Sequence, residues 1–159
     1  MKIVIDIPSQ KLDLYDGSKK VIRNYRISSA KNGVGQLNGS FCTPVGRHII
    51  RAKIGAGQPI NTVFVRRRPT GEIYTPGLGA SFPGRDWILT RILWLSGCEP
   101  GINRLGRVDT MRRYIYIHGS PDSVEMGKPG SIGCIRMRND DLLELFDLVD
   151  AGTEVDINI

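Results

Sequence analysis

The chain has 159 residues, enough for one compact unit that buries about 68–70% of the surface its unfolded form exposes. A formal charge of +6 and a pI near 9.5 favour anionic partners, but neither an aromatic-basic RNA-binding motif nor a helix-turn-helix pattern supports nucleic acid. No apolar stretch is long enough to span a membrane, and no repeat or low-complexity segment occurs. The cysteines and histidines lack zinc spacing, so neither metal nor cofactor is expected.

In chain order, short alternating runs recur between turn signals. Lys2 to Ile7, Leu12 to Tyr15, Val21 to Ser28 and Thr62 to Arg66 each read as a strand. Asp6 and Pro8 interrupt the first apolar run before a signal-peptide core could form. Residues 52 to 106 are the least regular part, with breaks at Gly55-Ala56-Gly57, Thr75-Pro76-Gly77-Leu78-Gly79 and Phe82-Pro83-Gly84-Arg85. Such breaks form either a lid or plain surface connections. Trp87 to Leu95 reads as a short helix, because Ile88, Leu89, Ile92 and Leu95 fall near one face. Trp87 and Trp94 would pack that helix on the sheet. Basic residues cluster at Lys19-Lys20, Arg66-Arg67-Arg68 and Arg112-Arg113, and for two of the three a solvated face is expected.

Further along, Tyr114-Ile115-Tyr116-Ile117-His118 alternates as a strand, with Tyr114, Tyr116 and His118 on one face and Ile115 and Ile117 toward the core. Gly119-Ser120-Pro121-Asp122 ends it, leaving His118 at the mouth of a loop. Asn139 is the expected N-cap of a helix whose Leu142, Leu145, Phe146 and Val149 share one face. Asp140 and Asp141 complement the helix dipole. Thr153 to Ile157 alternates as a closing strand. The fold class is mostly β and sandwich-like, a single domain over 1–159 with one substantial C-terminal helix.

Between that strand and helix lies Ser131-Ile132-Gly133-Cys134-Ile135-Arg136-Met137, its cysteine sixteen positions after His118. A lone cysteine is by default a small buried hydrophobe. Here, however, an imidazole lies close in sequence, and imidazole is the usual group to take a thiol's proton near neutral pH. Glycine before the cysteine permits a tight turn and frees two successive N–H groups, those of Gly133 and Cys134, to face an oxyanion. The pattern points to cysteine acyl transfer. The base needs an orienter, and the Gly119 carbonyl, Ser120 and Asp122 are the choices. Cys42 and Cys98 either pair as a disulfide or, the preferred reading, stay reduced and buried.

Ile117-His118-Gly119 followed by Ser131-x-Gly133-Cys134-Ile135-Arg136-Met137 resembles the signature of the L,D-transpeptidase (YkuD-type) catalytic domain. Ser9-Gln10-x-Leu12-x-Leu14-Tyr15, Tyr25-x-Ile27-Ser28 and Thr43-Pro44-x-Gly46-x-His48-x-Ile50 resemble that family's N-terminal strands, in the same order. The resemblance implies an enzyme acting on the stem peptides of peptidoglycan. Cys134 would be nucleophile and His118 base, with Arg136, Ser131, Tyr116 and Gly119 as substrate contacts. The thioester formed on release of D-alanine would pass to an amine acceptor, making a cross-link, or to water, making the enzyme a carboxypeptidase. A non-catalytic wall-binding module is the third reading. Arg136 could pair bidentately with a substrate carboxylate, or make a structural ion pair with Asp140. The family usually carries a polar residue, often histidine, where this chain has Ile132; an apolar neighbour disfavours thiolate and alters acceptor preference. Stem carboxylates account for the basic charge. The expected setting is the cell envelope and the expected state a monomer.

Overall fold

The computed structural model describes residues 1–159. β1 (Lys2–Asp6), β2 (Lys11–Tyr15) and β3 (Val21–Ser28) follow the alternating runs, and their inward residues Ile3, Ile5, Leu12, Leu14 and Ile27 are wholly buried. After β4 (Gly46–Ile54) come the hairpin β5 (Thr62–Val65) and β6 (Arg68–Ile73), the short helix α1 (Pro76–Ser81) and β7 (Ile88–Gly97). β8 (Tyr116–Gly119), β9 (Ile135–Met137), α2 (Asn139–Leu148) and β10 (Glu154–Asn158) complete the chain.

The sheet runs β4-β10-β1-β2-β3-β9-β8-β7-β5-β6, and β4 also pairs with β7, so the sheet closes on itself in a barrel-like ring. β7 divides one of its edges. Its C-terminal half pairs with β4 through Ile92 to Gly97, whereas Ile88 and Leu89 pair with β5. The β5–β6 hairpin therefore leaves the ring at the point where β7 changes partner.

The segment expected as a helix from Trp87 to Leu95 is this central strand. Its register shifts between Leu89 and Ile92, and Thr90 takes φ +76°. A bulge adds a residue and breaks period two, so the apolar positions acquire a spacing that mimics a helix face. The second short helix lies earlier, at α1, where Pro76 occupies the first turn and the Thr75 hydroxyl accepts from Leu78 N at 3.1 Å. Trp87 meets Tyr74 edge-on at 5.0 Å, and Trp94 packs against Tyr114 and Tyr116.

The C-terminal helix packs Leu142, Leu145 and Phe146, followed by Val149, into a core with residues of β1, β2, β3, β7 and β10. Its N-cap is Arg138, not Asn139, and no side chain caps it. Asn139 is instead buried inside the first turn. The Lys53 ammonium closes the other end, donating to Phe146 O at 2.6 Å and Val149 O at 2.7 Å. Cys42 and Cys98 are free thiols, half-buried rather than buried. No helix is long and apolar enough to cross a membrane.

Candidate active site

β8 and β9 are parallel neighbours, with Ile117 opposite Ile135 and His118 opposite Arg136. Parallel neighbours need a long crossover, which residues 120 to 134 supply. The crossover sets Cys134 beside Tyr116. Tyr116 N–H donates to Cys134 Sγ at 3.3 Å, and the thiol donates to Tyr114 O at 3.3 Å. Tyr116 and His118 share a face by strand period, and His118 pairs with Arg136, two residues after Cys134, so sulfur and imidazole belong to the same face of adjoining segments. Tyr114 lies outside the strand at φ +57° and is exposed, so the expected strand is shorter at its start.

The turn before the sulfur is pinned on three sides. Ser131 Oγ donates to Cys134 O at 2.6 Å and accepts from Gly133 N at 3.1 Å, while Thr43 Oγ1 donates to Gly133 O at 2.9 Å. Gly133 sits at φ +137°, where an L side chain is strained, and an added Cβ would stand 3.2 Å from Ile115 Cδ1. The expected pair of oxyanion donors is thereby reduced. Gly133 N–H is committed to Ser131, whereas Cys134 N–H donates to no protein acceptor.

His118 is buried, and its Nδ1–H donates to the Gly119 carbonyl at 2.6 Å, which leaves Nε2 as the unprotonated nitrogen. Of the three orienters considered, the structure has the carbonyl; Ser120 Oγ donates instead to Met137 O at 3.0 Å. His118 Nε2 is the only buried side-chain nitrogen or oxygen without a partner. Behind Gly119 stands Asn139. It donates to Ser120 O at 3.0 Å and to Asn61 Oδ1 at 3.0 Å, and accepts from Thr90 Oγ1 at 2.7 Å. A Cβ at residue 119 would come within 2.1 Å of Asn139 Oδ1, so only glycine lets the two pack. Sequence reading assigned Asn139 to a cap; its short polar side chain beside a helix start gave the same signal for either role.

Cys134 lies at a cavity of about 450 Å³ that Arg66, Arg67, Asp86, Arg113, Tyr116 and Ile132 help to line. Ser131, Gly119 and Arg136 are not part of that wall. Arg136 donates to Asp86 Oδ1 at 3.2 Å and to Gly130 O at 3.1 Å, so its ion-pair partner is Asp86 and not Asp140. Two of the three basic clusters reach the wall, more than the single one expected. Arg113 donates to Gly35 O, Gln36 O, Ser40 Oγ and Cys42 O, tying the 35–42 loop to the site, and it has no carboxylate partner. None of the three glycine breaks of the middle region supplies a lining residue. The 38–41 loop does, through Asn38, Gly39 and Phe41.

Burial dominates the electrostatics. It pushes the Cys134 thiol up to about 12, against the smaller opposing effect of the Tyr116 N–H. It also holds the His118 imidazole below its ordinary 6.5. Thiol and imidazole are therefore both neutral at rest. Ile132 is 55% exposed at the cavity's edge, so the desolvation that raises the thiol comes from the enclosing strands and turn more than from this side chain.

A closed mostly β sheet, with a histidine on one of two parallel neighbours and a cysteine in the turn that leads into the other, defines the class. The family model described as the L,D-transpeptidase catalytic domain matches residues 1–157, and the chain belongs to that family. It is 27% identical over 155 residues to the Escherichia coli K12 protein described as "Probable L,D-transpeptidase YcfS", covering 98% of this chain and 43% of that one. Among solved structures, an L,D-transpeptidase from Mycobacterium smegmatis matches with TM-score 0.57 at 21% identity, covering 99% of this chain and 58% of that chain. The "LD transpeptidase LdtMt1 in complex with imipenem" matches with TM-score 0.57 at 18% identity, covering 98% and 57%. These likenesses share the fold, and the chain spans less than two thirds of each relative's length.

Proposed function

We propose that the chain is a peptidoglycan L,D-transpeptidase that works in the cell envelope through a Cys134 thioester. The observation that carries this reading is the unpartnered, buried Nε2 of His118, held in the acceptor tautomer on the strand face it shares with Tyr116, whose N–H holds the sulfur. A buried acceptor left empty costs stability, and a protein keeps such an atom where catalysis uses it.

Because the thiol is neutral at rest, its proton leaves as the C–S bond forms, a general-base step rather than attack by a standing thiolate. The sulfur adds to the carbonyl of the third stem residue, and His118 Nε2 takes the thiol proton. The carbonyl oxygen, now anionic, accepts from the free Cys134 N–H. Collapse breaks the amide C–N bond, and the protonated imidazole gives its proton to the departing D-alanine amine. An acceptor amine then attacks the thioester carbonyl and loses its proton to Nε2; the C–S bond breaks as the new amide forms, and the imidazolium returns the proton to the leaving sulfur.

A second reading rests on Ile132. It offers an acceptor amine no polar contact at the cavity edge, which favours water as acceptor and an L,D-carboxypeptidase outcome. Product analysis with a tetrapeptide stem and an added amine separates the two.

Intact mass after incubation with a carbapenem tests the nucleophile, since a relative of this fold is described in complex with imipenem. One adduct is expected on the parent, on Cys42→Ala and on Cys98→Ala, and none on Cys134→Ala. An adduct that survives Cys134→Ala removes the cysteine from the mechanism, and none on the parent makes the chain a binding module.

A further inference from the structure

The turn of the β5–β6 hairpin has two residues, Arg66 and Arg67, between the paired Val65 and Arg68. Both take positive φ, +50° and +65°. A two-residue turn of this form asks for residues that tolerate the left-handed region, typically Asn-Gly, and a β-carbon there is strained. Two long cations in such a turn make local stability worse, so their side chains need another reason to be present.

Both arginines line the cavity that holds Cys134. Arg67 is held in place: its guanidinium stacks 4.9 Å from the Trp94 ring and 4.6 Å from the Tyr114 ring, and Nη1 donates to Tyr116 Oη at 2.9 Å. Tyr114 and Tyr116 are the residues whose backbones hold the sulfur. Their rings hold the cation and their main chains hold the thiol, so the two groups are fixed relative to one another. Neither Arg66 nor Arg67 has a carboxylate partner, and the one acidic residue on the wall, Asp86, pairs with Arg136. Arg67 makes a single hydrogen bond to the protein, which leaves most of its planar fork free.

We propose that Arg66 and Arg67 form a carboxylate-recognition subsite, with Arg67 the specificity-determining residue that docks a free carboxylate of the donor stem while its scissile carbonyl meets Cys134. This deepens the transpeptidase reading and rests on it for the identity of the donor. Two donor carboxylates share the required chemistry, one on the side chain of the third residue and one at the terminal D-alanine.

The test uses equilibrium binding of tetrapeptide stems to Cys134→Ala, with no turnover, alongside steady-state kinetics on the parent. Three stems are compared: both carboxylates free, the side-chain carboxylate amidated, and the terminus amidated. With Arg66 and Arg67 intact, one amidation should weaken binding by about tenfold to a hundredfold, as expected for a charged hydrogen-bonded pair, and the arm that does so identifies the source. Arg67→Gln should abolish that discrimination and Arg67→Lys should restore part of it. Arg66→Asn relieves the turn, so it should raise Tm by roughly 2–4 °C while weakening the preferred stem. Equal binding of all three stems by Cys134→Ala overturns the subsite, as does discrimination that persists when a folded Arg67→Gln is added to it. Turnover of the stems by Cys134→Ala refutes the nucleophile, whereas equal binding of the three stems refutes the subsite, so the two failures are told apart.

Discussion

The chain has two histidines, both buried, and their surroundings differ in one respect. His48 on β4 has both nitrogens engaged, Nδ1–H donating to Gly46 O at 3.0 Å and Nε2 accepting from the Thr110 hydroxyl at 2.9 Å. His118 has one nitrogen engaged and the other empty. The regions around them follow the same division. His48 sits between β10 and β7, opposite Val155 and Gly97, in regular ladder. His118 follows Tyr116 on β8, and Tyr116 lines a cavity whose Phe41, Arg66, Arg67 and Tyr114 all take left-handed backbone conformations. One region has spent its hydrogen-bonding capacity on stability; the other keeps strain and an unmet acceptor where chemistry needs them.

The comparison breaks most visibly on rate. His118→Ala should slow acylation by about 10²- to 10⁴-fold, the usual contribution of a positioned base, while the stem still binds. Stopped-flow acylation with a carbapenem reads this, and an undiminished rate would take His118 out of the mechanism. The reciprocal substitution is the next largest. His48→Ala leaves the Thr110 hydroxyl and Gly46 carbonyl unpaired, so urea unfolding should show a loss of about 1–3 kcal/mol. Its acylation rate per folded molecule should match the parent; a large kinetic defect would mean that the two regions are coupled.

The next effect is in pH, read as a slope and not as a loss at one condition. Burial holds both imidazoles below 6.5, His48 at about 4, so the native state takes up protons later than the unfolded chain. Below pH 6.5 the unfolded state therefore binds more protons, and stability present above that pH is lost as pH falls toward 4. His48→Gln should flatten part of that slope in urea titrations from neutral to acid pH. A parent whose stability does not change across this range contradicts the burial of both rings. The acid limb of acylation should likewise fall below 6.5, the position of a free imidazole.

Much of the site was legible because its residues sit close in sequence and obey simple periods. Strand alternation placed Tyr116 and His118 on one face, and the turn signal after His118 put it at a loop mouth; that the loop is a crossover between parallel strands came from the structure. The Trp87 to Leu95 segment was not legible. Its bulge at Thr90 arises where β7 exchanges β5 for β4, and no local pattern announces a change of partner. Asn139 was misassigned for a related reason: a cap and a buried strut call for the same residue type, and only the proximity of Gly119, Thr90 and Asn61 decides between them.

Periodicity and residue chemistry, which act over a few neighbours, were enough to mark strands β1 to β3, the C-terminal helix, and one cysteine and one histidine as candidates for the site. Which arginines face the sulfur, which carbonyl orients the imidazole and which nitrogen stays empty were decided by tertiary structure. Those outcomes depend on contacts between segments tens of residues apart, and ring closure of the sheet brings such segments together without leaving a mark on either one alone.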